Sequence, residues 1–412
     1  MGHRRNLFNR RRPRLDLRSL KVIRLEMTYP NPNLPNPNLP TLILKRSPQV
    51  SAIKVGLAII AILISLILGL LVLLVIGIET GPVALILGLL AATIPVPIYV
   101  VLVLWIDRYE GEPLWMLTTA FFWGALVAAF FAFLVNTITG LAVGALTDAA
   151  VGDAFSSVIS APIVEEIGKG LILVIFFFWK KDEFDGVVDG IVYASMVGLG
   201  FAMTENILYY GQAASSGMLT ATVIVRGFFA PFSHPLFTSL TGIGLGLARQ
   251  SRNAVVKVMM PAVGLVMAIF MHSVWNASAV FGGGLAFVLT YIVVMVPAFL
   301  IVIVVVVLAL RREGQVVREF LISDIERGLL THEEFEQLGS IGGRMGSSFN
   351  ALSRRGMRGW RTRRRFNQLA SELAFHRSRV SRGIKSRNQD PQAQEAAYLH
   401  ALHDLISELR AR

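Results

Sequence analysis

The sequence predicts an all-α fold: a polytopic membrane bundle of about eight transmembrane helices with a basic, helical, cytosolic C-terminal tail. Three observations predict it. Hydrophobic residues make up 54% of the chain and charged residues only 16%, whereas a soluble domain averages about 25% charged. The charge is also sorted along the chain. Of 39 Lys and Arg, 12 precede residue 55 and 19 follow residue 310, which leaves eight between them. Finally, the apolar middle breaks into runs of about 20 residues, the length a helix needs to cross the hydrocarbon core.

Eight such runs are readable, at 55–78, 82–105, 114–136, 156–179, 186–210, 228–248, 258–281 and 285–310. The first, Val55 to Ile78, is almost charge-free, and it is too long and too internal for a cleaved leader. The eighth is rich in Val and Ile. In water that composition suggests strands, but its length fits a lipid-facing helix. With a cytoplasmic N-terminus, the inner loops hold Arg108, Lys180, Lys181, Arg249, Arg252 and Lys257, and the outer loops hold only Arg226. Both basic tails then also lie inside. The charge bias and the even number of spans give the same orientation, with N- and C-termini cytoplasmic in a multi-pass protein of the cell membrane.

Residues 1–54 form a basic N-terminal tail in which Pro-Asn-Pro-Asn-Leu occurs twice between residues 30 and 40. Proline at that density predicts an extended, solvated segment without a core. Met27 is a second candidate start of translation beside Met1. Residues 55–310 form the membrane domain. Residues 311–412 form the second basic tail, helical or partly disordered, with amphipathic spacing at 315–338 and 392–410 and a stretch from Arg354 to Arg365 too charged for a core. Basic tails beside membrane helices meet anionic lipid headgroups, at roughly 1 kcal/mol per Lys or Arg; no nucleic-acid partner is expected. The chain has no cysteine, which excludes disulfides, thiolate metal sites and a cysteine nucleophile.

Charges inside spans cost about 2.5 to 3.5 kcal/mol each at the helix centre, so a chain keeps them where they pair or do chemistry. Here they concentrate in the fourth to seventh runs. The fourth carries Pro162, Glu165, Glu166 and Lys169. Glu165 and Lys169 are four apart on one helix face, in the favourable order for an ion pair, and Glu166 is rotated by about 100°. Pro162 has no N–H and so can leave a carbonyl of the preceding turn free. The fifth run carries Glu205 and Asn206, the sixth opens with Ser233-His234-Pro235, and the seventh carries His272, Trp275 and Asn276. Counted inward at about 1.5 Å per residue, Glu165, Glu205, His234, His272 and Asn276 lie about 8 to 14 Å below the outer surface. Antiparallel helices thus offer polar groups at a similar height, as a single intramembrane site requires.

Carboxylates, imidazoles and a carboxamide together suit water activation. A buried carboxylate serves as general base, and His or Asn donors can hold an oxyanion. Glu and His could instead bind a divalent metal such as zinc. No His-Glu-x-x-His pair is present, and spacing leaves metal-free and metal-assisted chemistry both open. The bland alternatives are a Glu165–Lys169 packing pair, a core histidine at 234, interhelical hydrogen bonds from His272 and Asn276, and structural roles for Asn206 and Trp275.

These residues resemble the PrsW family of intramembrane proteases. The resemblance is carried by Glu165-Glu166-x-x-Lys169, by Phe201 through Glu205-Asn206, by His234 and by His272-x-x-Trp275-Asn276. The stretch Asp107 to Pro113, followed by Phe121 to Gly124, is also similar, and the likeness covers roughly residues 95–310. It implies a bacterial protease of the cytoplasmic membrane that cleaves membrane-anchored proteins such as anti-sigma factors. The wider superfamily includes the CAAX prenyl proteases, which use paired glutamates, two histidines and an asparagine. Carried over by motif, Glu165 and Glu166 supply the base and its support, His234 and His272 orient water or stabilise the oxyanion, and Asn276 assists. Glu205 stands where the CAAX proteases have histidine, which matches the PrsW pattern. Lys169, Asn206 and Trp275 support the site. Two readings from other classes stand beside this one. A proton- or cation-coupled transporter would use the same intramembrane charges, although no internal repeat of the transporter kind is visible. A catalytically silent membrane scaffold would need none of the glutamates.

Overall fold

The computed structural model describes residues 52–383 and 390–410. The Pro-Asn repeat, the Met1 and Met27 alternatives and the basic N-terminal tail lie outside the described residues. The described residues form helices and connecting turns, with no strand among them. The chain is an all-α polytopic membrane bundle.

The helices are α1 (Ala52–Thr80), α2 (Pro82–Ile106), α3 (Leu114–Leu146), α4 (Ala149–Phe155), α5 (Ala161–Trp179), α6 (Val187–Ser215), α7 (Ser233–Gln250), α8 (Ala254–Phe281) and α9 (Gly283–Glu326). Beyond them come α10 (His332–Leu338), α11 (Ile341–Ser381) and α12 (Pro391–Arg410). A short helical segment, residues 219–229, joins α6 to α7 and carries Arg226. Among the described residues, six helices are long and apolar enough to cross a membrane: α1, α2, α3, α6, α8 and α9. The other two runs expected to span, 156–179 and 228–248, form α5 and α7. Helix α5 carries Glu165, Glu166 and Lys169 within 19 residues. It turns Ile163, Ile167, Leu171 and Phe178 outward and its charges inward, the helical spacing of a one-sided apolar stripe. Helix α7 is rich in Gly, Ser and Thr and is buried along most of its length, so it needs little lipid-compatible surface.

Helix α6 is the hub, buried on nearly every face. Its small residues let neighbouring backbones come close. A Cβ on Gly190 would lie 2.2 Å from the carbonyl oxygen of Gly242 on α7, and a Cβ on Gly198 would lie 2.6 Å from the nitrogen of Pro235. The second contact seats the N-terminus of α7, and with it His234, against α6. The peripheral helices instead expose large apolar side chains, such as Leu63, Ile67, Leu70 and Leu74 of α1 and Leu300, Ile301, Val304 and Leu308 of α9. Continuous apolar surface of this extent suits lipid tails.

Helix α9 has 44 residues, up to about 66 Å at 1.5 Å per residue, well beyond the ~30 Å hydrocarbon core. It runs through residue 310 without a break and becomes the first element of a C-terminal helical array. Val317, Leu321, Phe335, Leu338, Phe366, Leu373, Tyr398 and Leu402 are buried there, in one core continuous with that of the membrane helices. Within the array Asp324 is buried and paired with Arg377, which also meets Glu395 at 2.8 Å. Helix α11 bends at Gly356, whose φ of +62° favours glycine. Of the arginines between 354 and 365, Arg363 is buried and the rest are exposed. The array is tied to the bundle by Arg379, which binds Glu110 at 2.6 Å, and by Arg344, which donates to the Arg108 carbonyl at 2.8 Å.

Candidate active site

Four helices deliver the polar groups. Helix α5 supplies Glu165, Glu166 and Lys169. All three are buried, and Glu166 and Lys169 have no solvent exposure. Lys169 Nζ donates to Glu166 Oε1 at 2.7 Å and to Glu165 Oε2 at 3.3 Å. The closer ion pair is therefore the one three residues apart, not the four-residue pair expected from helix geometry. Both spacings bring side chains together on a helix, and the long lysine reaches between the two carboxylates. Its remaining direction is toward α7, where Nζ lies 3.0 Å from His234 Nδ1. A lysine ammonium only donates, so this contact makes Nδ1 an acceptor and leaves the His234 proton on Nε2. That Nε2 lies 2.6 Å from Glu205 Oε2 of α6.

Helix α8 supplies His272. Its Nδ1 lies 3.1 Å from Glu166 Oε1, and its Nε2 lies 3.8 Å from Glu165 Oε2. The ring stacks on Phe237 at 4.9 Å and stands edge-on to His234 at 5.2 Å. Packing on both sides fixes its orientation. Thr238, one turn after His234, donates to Glu166 Oε2 at 3.0 Å. Glu166 thus accepts from three directions, while Glu165 borders a cleft of about 770 Å³ together with Glu205 and Asn276. The two adjacent glutamates have different surroundings: one is enclosed and saturated, the other faces open space.

The remaining candidates divide. Glu205 also receives Arg226 Nη2 at 2.6 Å, and Asn206 Oδ1 accepts from Arg226 Nε at 2.6 Å. Glu205 therefore adds little net negative charge, because its cation comes with it. Asn276 lines the cleft, but its side chain donates to the Ser157 carbonyl at 2.8 Å and does not touch the glutamates at hydrogen-bond distance. The reason lies in Pro162. A π-helical turn at Ser156–Ser160 precedes it. In such a turn the N–H of residue 162 would bond the carbonyl of residue 157. Proline has no N–H, so Asn276 takes that carbonyl. Trp275 packs on Phe287 with ring centres 4.6 Å apart. The segment Asp107 to Pro113 lies at the opposite end of the bundle, where Glu112 accepts from the Tyr193 hydroxyl and Glu110 binds Arg379.

Sequence reasoning missed Thr238, Arg226 and Ser157. Thr238 was findable, because it lies four residues from His234 on the same face. Arg226 was recognisable as the one outer cation near a carboxylate inside a span. Nothing local marks the Ser157 carbonyl.

The comparisons with known proteins bear on the same residues. The model described as "PrsW family intramembrane metalloprotease" matches residues 112–303, from the turn before α3 into α9. Protease PrsW of Oceanobacillus iheyensis is 30% identical over 165 residues, which are 40% of this chain and 70% of that protein. The chain belongs to the PrsW family. Protease PrsW of Geobacillus kaustophilus is 37% identical over 143 residues, 35% of this chain and 58% of the relative. Protease PrsW of Bacillus subtilis is 32% identical over 145 residues, 35% of this chain and 61% of the relative. The chain thus spans less than two thirds of the length of those two PrsW proteins. No solved structure matches it.

The family description names a metal, and the donors can be tested for one. Glu165, His234 and His272 each offer a ligand atom, all within 4.8 Å of one another. Two imidazoles and a carboxylate are a known catalytic zinc set. His272 has the orientation of a ligand, with Nδ1 held by a carboxylate and Nε2 turned inward. Lys169 contacts two of these donors, Glu165 and His234, so a bound cation would take them from it. By type and spacing the residues fit a divalent metal.

Proposed function

We propose that this chain is a glutamate-dependent intramembrane endopeptidase that cleaves membrane-anchored proteins of the anti-sigma-factor kind. The observation that carries this reading is the meeting of Glu165, Glu166, His234 and His272 from three helices in one buried cluster bordering a cleft.

Glu165 is the better general base of the two glutamates. It faces the cleft, where water and an unwound substrate segment can enter, whereas Glu166 is closed in by Lys169, His272 and Thr238. Glu165 takes a proton from water as the water oxygen attacks the substrate carbonyl, and returns it to the leaving amine. Glu166 holds His272 so that Nε2 faces Glu165 at 3.8 Å, where it orients the water that Glu165 activates or, once protonated, meets the developing oxyanion. Lys169 spans the two carboxylates and so fixes their separation. Glu205 and Arg226 hold His234 from the other side. Asn276 satisfies the Ser157 carbonyl that Pro162 leaves without a donor, at the wall of the cleft. Were a divalent metal bound, Glu165, His234 and His272 would hold it in place of the roles just given to Glu165 and His272, and it would polarise the carbonyl and ease deprotonation of water.

The charge distribution supports N- and C-termini on the cytoplasmic side. Arg108, Lys180, Lys181, Arg249, Arg252 and the C-terminal array all lie at the end of the bundle away from the cleft, and the positive-inside rule makes that end cytoplasmic. The catalytic domain then covers residues 55–310. The basic tails face the cytoplasm, where they meet anionic headgroups.

The test is reconstitution of the full chain in vesicles with a single-span reporter protein. Cleavage of the reporter without ion flux supports the proposal. Ion-coupled flux without cleavage would replace it with the transporter reading.

A further inference from the structure

The rim of the cleft carries an unbalanced charge. Glu79, at the end of α1, and Asp153, in α4, are both exposed and both line the cleft that holds Glu165. Asp148 begins α4 at the same end of the bundle. Among the described residues, the cation between the helix ends here is Arg226, and it is already bound to Glu205 and Asn206. The rim is therefore a net negative surface leading to the cluster.

Its distance from the cluster follows from helix geometry. Asp153 lies twelve residues before Glu165 on the run formed by α4, the π turn and α5. This sets it about 18 Å farther out at 1.5 Å per residue. Glu79 accepts from Gln212 at 2.6 Å, and Gln212 lies seven residues beyond Glu205 on α6, about 10 Å farther out. An extended peptide covers about 3.3 Å per residue. The two carboxylates therefore meet a strand lying in the cleft at roughly three residues (Glu79) and five residues (Asp153) from the bond nearest Glu165. The placement is held rigidly. Helix α4 crosses α3 so closely that a Cβ on Gly152 would lie 2.4 Å from the Gly140 carbonyl oxygen.

We propose that the cleft selects substrates that carry Lys or Arg about three to five residues to the outer side of the scissile bond, with Glu79 and Asp153 as the residues that read that charge. This rests on the proteolytic reading given above and adds the substrate class to it.

The experiment uses the full chain in vesicles with three single-span reporters. They share one Leu/Ala helix and differ only in an outer segment of three consecutive Lys, Gln or Glu. The expected order of kcat/KM is Lys, then Gln, then Glu. Each exchange is expected to change it about fivefold at low salt, the scale of exposed ion pairs, with the differences shrinking in about 1 M salt. The double variant Glu79→Lys/Asp153→Lys should invert the order, and an inverted preference itself shows that the variant folds. Equal cleavage of the three reporters by the parental protein would overturn the charge selection and leave proteolysis standing. Cleavage of none of them would remove both.

Discussion

His272 turns Nδ1 toward Glu166 at 3.1 Å and thereby leaves Nε2 3.8 Å from Glu165. One glutamate aligns the ring and the other shares the space the ring faces. That division of labour between adjacent residues follows from the helix, since a step of one residue turns a side chain by about 100°.

Thr238 tests the supporting half of this arrangement. Its hydroxyl gives Glu166 a third hydrogen bond. Thr238→Val keeps the shape and removes the donor, so we expect a loss of about 1 kcal/mol of stability and roughly tenfold slower reporter cleavage, with KM little changed. Thr238→Ser should restore most of the rate. Steady-state kinetics with a thermal unfolding curve for each variant checks both.

Arg226 and Glu205 should behave as a unit. Arg226→Gln leaves Glu205 with only His234 as a hydrogen-bond partner, at a site about one fifth exposed. We expect a cost of about 1 to 3 kcal/mol, because an ion pair broken from one side leaves an uncompensated charge. Adding Glu205→Gln should recover part of that cost. A double-mutant cycle on unfolding midpoints measures the coupling, and strict additivity would count against it.

The inner face should respond to pH. Burial pushes Asp107 from its usual 3.8 up to about 7, against the pull of the Glu112 N–H, and Glu112 is likewise raised well above its ordinary range by burial. Between pH 3.8 and about 7 the folded chain holds a proton on Asp107 that the unfolded chain has lost. Asp107 therefore favours the folded state most at low pH, and its contribution is lost as pH rises through about 7. The unfolding midpoint in detergent should fall between pH 5 and pH 8 (about the range of this titration), and Asp107→Asn should flatten that slope.

Much of the site was legible in the sequence because lipid makes charge conspicuous. Glu165, Glu166, Lys169, Glu205, His234 and His272 stand out in apolar runs, and the structure brings all six together. Partners from distant segments were not legible. Arg226 reaches Glu205 from the short segment 219–229 between α6 and α7, and Arg379 reaches Glu110 across 269 residues of sequence. No periodicity encodes such pairings. Asn276 was placed among the reacting groups on residue type, yet it binds a backbone carbonyl freed by a proline 114 positions earlier, since the pairing of Pro162 with Ser157 depends on a π turn that composition does not reveal. Spans were counted by apolar length, so α5 and α7 passed that count, although their polarity reflects packing inside the bundle.

The most direct measurement is reporter cleavage by purified Glu165→Gln beside the parental protein, with matched unfolding transitions. A fall of about a thousandfold or more is predicted, within the range general-base removal produces. Cleavage at the parental rate by a folded Glu165→Gln would contradict the assignment of this cluster as the catalytic centre.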